Sequence, residues 1–318
     1  MWCRLTWLVV LAALLTSGRW AAAQTLDEQL RYWQQAQDRT SYQGSFVYER
    51  NGVFSTHQVW RQVDRDGHEK ERFLRLNGSR LDALRVDGRL RCMTRQFRPQ
   101  SLGSISETVV PQRRFDMQHM SAGYQIEQVG RGRVADRDAD VLLFAPRDVH
   151  RYPLEIHFDR ETGVVLQSLL LNEQGELLER FQFVSFVLGE QADEQLNVAD
   201  CEQSLVEDEI SEQARPDWHA GWVPEGFLPV GQERVQSGSA FSQLFFDGLA
   251  HFSIFVAAVD DSLLDMEHRQ VGPTVVMSRP VETDGQRYMV TVLGEIPVVT
   301  AQRIALSVSL DGKEGSHD

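Results

Sequence analysis

The chain has 318 residues, a formal net charge of -14 at pH 7 and a sequence pI of about 5.1. At roughly 150 residues per domain, this length predicts two domains. A content of 42% hydrophobic and 25% charged residues is that of a folded globular protein. The negative charge argues against nucleic acid or an anionic membrane as the main partner, because phosphate groups require a basic face.

Residues 1–23 have the pattern of a secretory signal peptide. Arg4 precedes an apolar run, Leu5–Leu15, and three alanines precede Gln24. No later stretch reaches about 18 uninterrupted apolar residues, so no membrane span is expected. We therefore expect cleavage near Ala23–Gln24 and a soluble exported protein.

Two of the three cysteines, Cys92 and Cys201, follow the signal segment. In an oxidising compartment such a pair can form one disulfide. Two separate buried thiols are the alternative, because the sequence does not fix the distance between them.

The first element predicted after the signal is a helix. Thr25 and Glu28 have the spacing of a capping box. Leu26, Leu30 and Trp33 then fall on one helical face. The helix should bury this apolar face.

A region rich in β-strands follows. Tyr42, Phe46 and Tyr48 alternate with less apolar residues, which is the period of a strand with one buried face. Four dipeptides with hairpin-turn chemistry follow closely: Asn51-Gly52, Asp66-Gly67, Asn77-Gly78 and Asp87-Gly88. This spacing predicts an antiparallel meander with one buried face.

The alternation typical of strands is absent over residues 99–122, and within this stretch Arg113 to Met120 is predicted as a short helix. Strands resume at Tyr124. They are predicted at Tyr124–Val129, Arg133–Ala135, Val141–Ala145, Tyr152–Phe158, Val164–Leu171 and Leu177–Leu188.

An acidic stretch then separates two apolar blocks. Nine acidic and no basic residues fall between 190 and 212, which indicates a linker or a marginal surface helix. The predicted organisation is a signal peptide, a β domain, the linker, an α+β domain and a polar tail, over residues 1–23, 24–190, 191–215, 216–310 and 311–318. The second domain should close with a helix capped by Thr300.

Motifs for catalysis, cofactors and metals are missing from the sequence. It contains no nucleophile elbow, P-loop, dinucleotide fingerprint, His-Glu-x-x-His or Cys-x-x-Cys. Asp136, Asp138 and Asp140 imitate the start of a calcium loop, but Val141 and Arg147 replace its required Gly and Glu. We expect no enzyme activity, catalytic residue, cofactor or metal.

Apolar surface is the remaining candidate for function. Many strands with few covering helices predict a hollow that holds an apolar ligand. The alternative is that the same residues fill the core. The candidate lining residues are Phe46, Trp60, Phe73, Met93, Phe97, Phe115, Met117, Leu143, Phe158 and Phe183.

Several segments together resemble the MucB/RseB family of periplasmic sigma-factor regulators. They occur in family order along nearly the whole chain. They are Ser41–Tyr48 with its Asn51-Gly52 turn, Val129–Arg137, Arg151-Tyr152, Asp159–Gly163, Gly175–Phe181, Trp222–Phe227, Phe246–Ser253, Val292–Pro297 and Ala301–Ile304.

The resemblance implies an α+β fold: a curved antiparallel half-barrel like that of LolA and LolB, covered by few helices, and a smaller C-terminal domain. It implies binding to the periplasmic part of a transmembrane anti-sigma factor of the RseA or MucA type. That binding shields the anti-sigma factor from proteolysis until lipid or lipopolysaccharide releases the regulator. The candidate partner-binding residues are Trp218, Trp222, Phe227 and Phe246. A homo-oligomer is also compatible with the sequence.

Two other functions are compatible with the sequence. A periplasmic lipid or lipoprotein carrier of the LolA type is the alternative, although a carrier would not need the block after Trp218. An exported hydrolase is the third, but no spacing of the histidines and carboxylates makes them converge.

Overall fold

The computed structural model describes residues 26, 28–94, 117–198, 201–203, 217–234, 241–259, 267–283 and 285–311. The signal segment and most of the break over 99–122 lie outside them. The described residues form an eleven-stranded sheet, followed along the chain by a six-stranded and a two-stranded sheet, and all three are antiparallel. We call the elements up to residue 203 the first domain and the elements from residue 217 onward the second domain.

The first domain is built mainly from strands. Helix α1 covers residues 28–37, and α2 is Met117–Gly123. The strands are β1 Tyr42–Arg50, β2 Val53–Val63, β3 Glu69–Arg75, β4 Asp82–Val86, β5 Arg89–Thr94, β6 Tyr124–Val134, β7 Arg137–Pro146, β8 Leu154–Asp159, β9 Val165–Leu171, β10 Leu177–Leu188 and β11 Cys201–Gln203.

Two meanders join side by side in the first sheet. The strand order is β11-β5-β4-β3-β2-β1-β10-β9-β8-β7-β6, so β1 and β10 form the seam. The predicted hairpin turns are present. Asn51 has φ +52° and Asp87 has φ +50°, each followed by a glycine at +73°, which is the backbone of a tight hairpin.

Helix α1 lies on one face of this sheet, which we call the inner face. Trp33 stacks on Phe158 with ring centroids 4.8 Å apart, and Arg61 of β2 donates to the Gln37 carbonyl at the helix end. The predicted helix with a buried Leu30–Trp33 face is confirmed. Because side chains alternate along a strand, Tyr42, Phe46 and Tyr48 of β1 belong to the inner face with Arg61.

The chain after β10 packs against the other face of the first sheet. Gln191 donates its backbone N–H to Gln62, and Arg72 donates to the Gln195 carbonyl. Leu196 and Val198 are buried, and β11 pairs with β5. The start of the predicted linker therefore belongs to the first sheet, because two apolar residues within the acidic stretch anchor it.

The second domain has a six-stranded sheet of order β13-β14-β15-β18-β17-β16 and a two-stranded sheet, β12-β19. Helix α3, Val298–Ser307, packs on β17 and β18. The strands are β12 Asp217–Ala220, β13 Leu228–Arg234, β14 Phe241–Phe246, β15 His251–Ala258, β16 Glu267–Val271, β17 Thr274–Thr283, β18 Gln286–Gly294 and β19 Val308–Asp311.

The N-cap predicted for the closing helix is wrong by three residues. Pro297 occupies the cap, and Thr300 is buried inside the first turn. Pro297 can precede the helix because its fixed φ suits the cap and its missing N–H costs no helical bond. The predicted α+β class, with antiparallel sheets and few helices, is confirmed. No helix among the described residues is both long and apolar enough to cross a bilayer.

Candidate functional site

Four of the predicted lining residues lie buried on the inner face. Phe46, Phe73 and Phe183 belong to one apolar cluster, and Phe158 belongs to the neighbouring cluster around Trp33. Phe46 stacks on His57 at 4.9 Å and meets Phe183 edge-on at 5.9 Å. The inner face is thus lined by rings from several strands.

Of the other lining residues, Met93 shares the inner face, because it stands opposite Ala83, which stands opposite Phe73. Trp60 and Leu143 do not. Trp60 projects from the opposite face of β2, where Arg72 lies 5.1 Å from its ring centroid, and Leu143 alternates with the inner-face residues of β7. Met93 is half-buried on β5, beside Ala83. Phe97, Phe115 and the side chain of Met117 lie outside the described residues.

Charged side chains share the inner face with the rings. Glu71 of β3 is fully buried, with Arg85 at 3.5 Å and Arg61 at 3.6 Å. Burial raises the pKa of Glu71, and the neighbouring Glu69 raises it further. Burial, aided by Arg75, lowers the pKa of His57 to about 4. The inner face is therefore apolar around Phe46 and ionic across β2–β4.

The ion pairs between Arg61, Glu71 and Arg85 were not predicted from the sequence. The alternation of side chains along β2, β3 and β4 could have indicated them. Arg61, Glu71 and Arg85 all stand at inward positions of adjacent strands. Opposite charges at directly opposed positions indicate cross-strand pairs.

Arg151 joins the two domains. Its Nε donates to Asp247 of the second domain at 2.5 Å, and its Nη groups donate to Asp148 and the Glu225 carbonyl. Its guanidinium lies 4.6 Å from the Phe227 ring centroid. Both charged side chains of the Arg151–Asp247 pair are fully buried, so this contact, the Arg151 joint, excludes water.

The turn after Asp247 strengthens the same joint. The Asp247 carboxylate accepts the backbone N–H groups of Leu249 and Ala250. The Leu249 side chain is buried in an apolar cluster of the first domain, together with Trp33 and Met120. Apolar packing and a buried ion pair therefore fasten the two domains at one place.

Arg50 makes a second connection, the Arg50 joint. At the end of β1, its Nη2 donates to Thr274 Oγ1 at 2.6 Å and lies 3.2 Å from a Glu295 oxygen. Its Nε lies 3.5 Å from Glu179 of its own domain. The turn residue Gly272 has φ +57°, and a Cβ there would stand 2.7 Å from the Arg50 side chain, so this close approach requires glycine.

The candidate partner-binding residues lie around this domain junction and in the second core. Arg303 stands 3.8 Å from the Trp222 ring centroid, and His150 of the first domain meets that ring edge-on at 5.0 Å. Phe227 is buried, Trp218 packs against the second core, and Phe246 is half-buried on β14. Two of the four therefore contact the first domain: Trp222 through His150, and Phe227 through Arg151.

The buried charged side chains described so far form ion pairs. Among the residues the structure describes, no cluster of three His, Cys, Asp or Glu side chains could hold a metal ion. The buried charges are paired across strands or domains, which is the arrangement of structural ion pairs.

Cys92 is disulfide-bonded. It lies buried in β5, and Cys201 stands in the adjacent β11, opposite Thr94. The bond between Cys92 and Cys201 stays a prediction.

Comparison with known proteins identifies the architecture. The MucB/RseB N-terminal domain model matches residues 25–203, and the MucB/RseB C-terminal domain model matches residues 212–309. The chain belongs to the MucB/RseB family. The resemblance of the sequence segments to this family is thereby confirmed.

Individual members are similar over most of their length. The sigma factor AlgU regulatory protein MucB of Pseudomonas aeruginosa is 41% identical over 280 residues, covering 86% of this chain and 87% of the relative. The sigma-E factor regulatory protein RseB of Escherichia coli K12 is 26% identical over 310 residues, covering 94% and 95%. The solved complex of P. aeruginosa MucA and MucB contains a chain 39% identical, with a TM-score of 0.76 and coverage of 90% and 99%.

Proposed function

We propose that this protein is a periplasmic negative regulator of an envelope-stress sigma factor. It binds the periplasmic part of a transmembrane anti-sigma factor and shields that segment from regulated proteolysis. The supporting observation is the MucB relative solved in complex with MucA, which matches both domains of this chain at 39% identity. The export signal supports the same compartment.

Shielding is a steric activity, and the domain junction suits it. The Arg151 and Arg50 joints hold the two domains against each other. A partner that contacts both domains then binds a preformed surface, so binding loses little conformational entropy in this protein.

Release by lipid or lipopolysaccharide is the second part of the proposal. Acyl chains suit the aromatic inner face around Phe46, Phe183 and Phe158. A ligand releases the partner only if it binds the free conformation more tightly than the partner-bound one. Ligand and anti-sigma segment must therefore lower each other's affinity by the same factor.

The test is calorimetric titration of the mature chain with the purified periplasmic segment of the anti-sigma factor. We expect a saturable one-site isotherm that weakens when lipopolysaccharide is present. Deacylated lipopolysaccharide is the matched control and should leave the isotherm unchanged. Absence of binding to the segment would overturn the proposal, and equal weakening by both ligands would overturn the role of the acyl chains. Transfer of lipoproteins between membranes without segment binding would support a carrier instead.

A further inference from the structure

Two carboxylates, one in each domain, share the guanidinium of Arg50. Glu179 lies 3.5 Å from one side of it and Glu295 lies 3.2 Å from another. Arg50 and Glu179 are buried, and Glu295 is nearly so. Because Coulomb interactions are strong where water is excluded, a shift of the guanidinium toward one carboxylate weakens its contact with the other.

Tyr48 connects this balance to the inner face. Its hydroxyl donates to Glu179 at 2.7 Å, while its ring is buried in the cluster that contains Phe46 and Phe183. A hydrogen bond to a carboxylate is charge-assisted and therefore strong. Burial and Glu179 both raise the pKa of Tyr48, so the hydroxyl keeps its proton and remains a donor.

We infer that Tyr48, Glu179 and Arg50 form a switch through which the inner face of the first domain controls the second. A ligand that displaces the Tyr48 hydroxyl removes one of the donors to the Glu179 carboxylate. The Arg50 guanidinium then moves toward Glu179 and away from Thr274 and Glu295. The inference rests on the proposed function only for the ligand that acts on the inner face.

The Arg151 joint is built differently, so the two joints respond differently. Its partners are Asp148, Asp247 and the Glu225 carbonyl, which belong to loops and turns at the junction. Disturbing Tyr48 removes none of these contacts. The second domain accordingly remains attached at the Arg151 joint while it loosens at the Arg50 joint, which changes the relative orientation of the domains.

The first test uses Tyr48→Phe, which keeps the ring and removes the hydroxyl, in the full mature chain without ligand or partner. Amide hydrogen exchange is followed in peptides that cover 272–275 and 294–296, at the Arg50 joint, and 248–251, at the Arg151 joint. We expect exchange at least fivefold faster in the first two peptides and unchanged in the third. No change in the first two, or an equal change in all three, would overturn the switch.

A double-mutant cycle gives an independent readout. Tyr48→Phe is combined with Thr274→Val and, as the matched control, with Thr300→Val. Thr300 also bonds across the domains, to His150 at 3.0 Å. We expect the effects on the unfolding equilibrium constant to depart tenfold from multiplicative behaviour in the first cycle and less than twofold in the control. Multiplicative behaviour in both cycles, or equal coupling in both, would overturn the switch.

Neither experiment contains an anti-sigma segment or a lipid. A protein that fails to bind either one can still show this coupling, and a protein without the coupling can still bind both. Failure of the switch and failure of the proposed function are therefore distinguishable.

Discussion

Arg151 and Asp247 are separated by most of a domain in sequence, yet their side chains meet at 2.5 Å with neither exposed to water. Burying two charges is costly unless each is fully hydrogen-bonded. Here the carboxylate also accepts two backbone N–H groups, and the guanidinium reaches Asp148 and a carbonyl. This contact is therefore specific to the observed arrangement of the two domains.

Breaking that pair should destabilise the whole protein. Arg151→Met leaves the Asp247 carboxylate buried without its cation, so we expect a loss of roughly 3–5 kcal/mol in the free energy of unfolding, measured in urea. Arg133→Met is the matched control, since Arg133 pairs with Asp136 three residues away in an exposed turn. It should change stability by less than about 0.5 kcal/mol. Equal losses in the two variants would contradict the role assigned to the joint.

The buried His57 should make the free energy of unfolding decrease at acidic pH. Its pKa is about 4 in the folded protein and 6.5 for the ordinary group, so between these values the unfolded chain binds more protons. Stability should fall as the pH falls from 6.5 to 4, by on the order of 2–3 kcal/mol. Urea titrations across this range should show that His57→Gln removes most of the slope. The exposed His251→Gln should keep it, and a slope that survives in His57→Gln would refute the assignment.

Gly163 should not tolerate a side chain. Its φ is +68°, and a Cβ would stand 2.6 Å from the Trp33 Cα atom, so Gly163→Ala both strains the backbone and displaces α1. We expect a loss of more than about 2 kcal/mol. Gly175 also has a positive φ, +79°, but open space surrounds it. Gly175→Ala should therefore lower the free energy of unfolding by only about 1 kcal/mol. Thermal unfolding of both variants compares them, and equal midpoints would count against the close approach of α1.

The partner of Cys92 is testable by peptide mapping. We expect a single cross-linked peptide pair that contains Cys92 and Cys201 under non-reducing conditions. Cys92→Ala and Cys201→Ala should each lose roughly 2–5 kcal/mol of stability, and the double variant should lose no more than either. Additive losses, or a free thiol at Cys201, would disprove the pairing.

Local chemistry made much of the fold predictable. The Asn-Gly and Asp-Gly dipeptides predicted the hairpin turns. The spacing of apolar residues predicted helices α1 and α3, and the N-cap of α3 was wrong by three residues. Strand β16 was not predicted, because its residues from Glu267 to Gln270 are exposed and show no apolar alternation. Strand β11 was not predicted, because it lies within an acidic run and forms only by pairing with β5, which is distant in sequence.

The functional surfaces were harder to predict. Phe46, Phe73 and Phe183 could be assigned to one face from strand parity, and the same parity should have excluded Trp60. The two interdomain joints had no local signal. Arg50 and Arg151 find their partners only after both domains have folded, so no spacing along the chain reveals them.

The most direct test of the regulatory role is a protection assay. The periplasmic segment of the anti-sigma factor is incubated with a protease that cleaves it, with and without an equimolar amount of residues 24–318 of this protein. We predict that the chain slows cleavage at least tenfold, and that lipopolysaccharide restores the rate. Cleavage at the same rate with and without the chain, under conditions where the two proteins are shown to bind, would contradict the account.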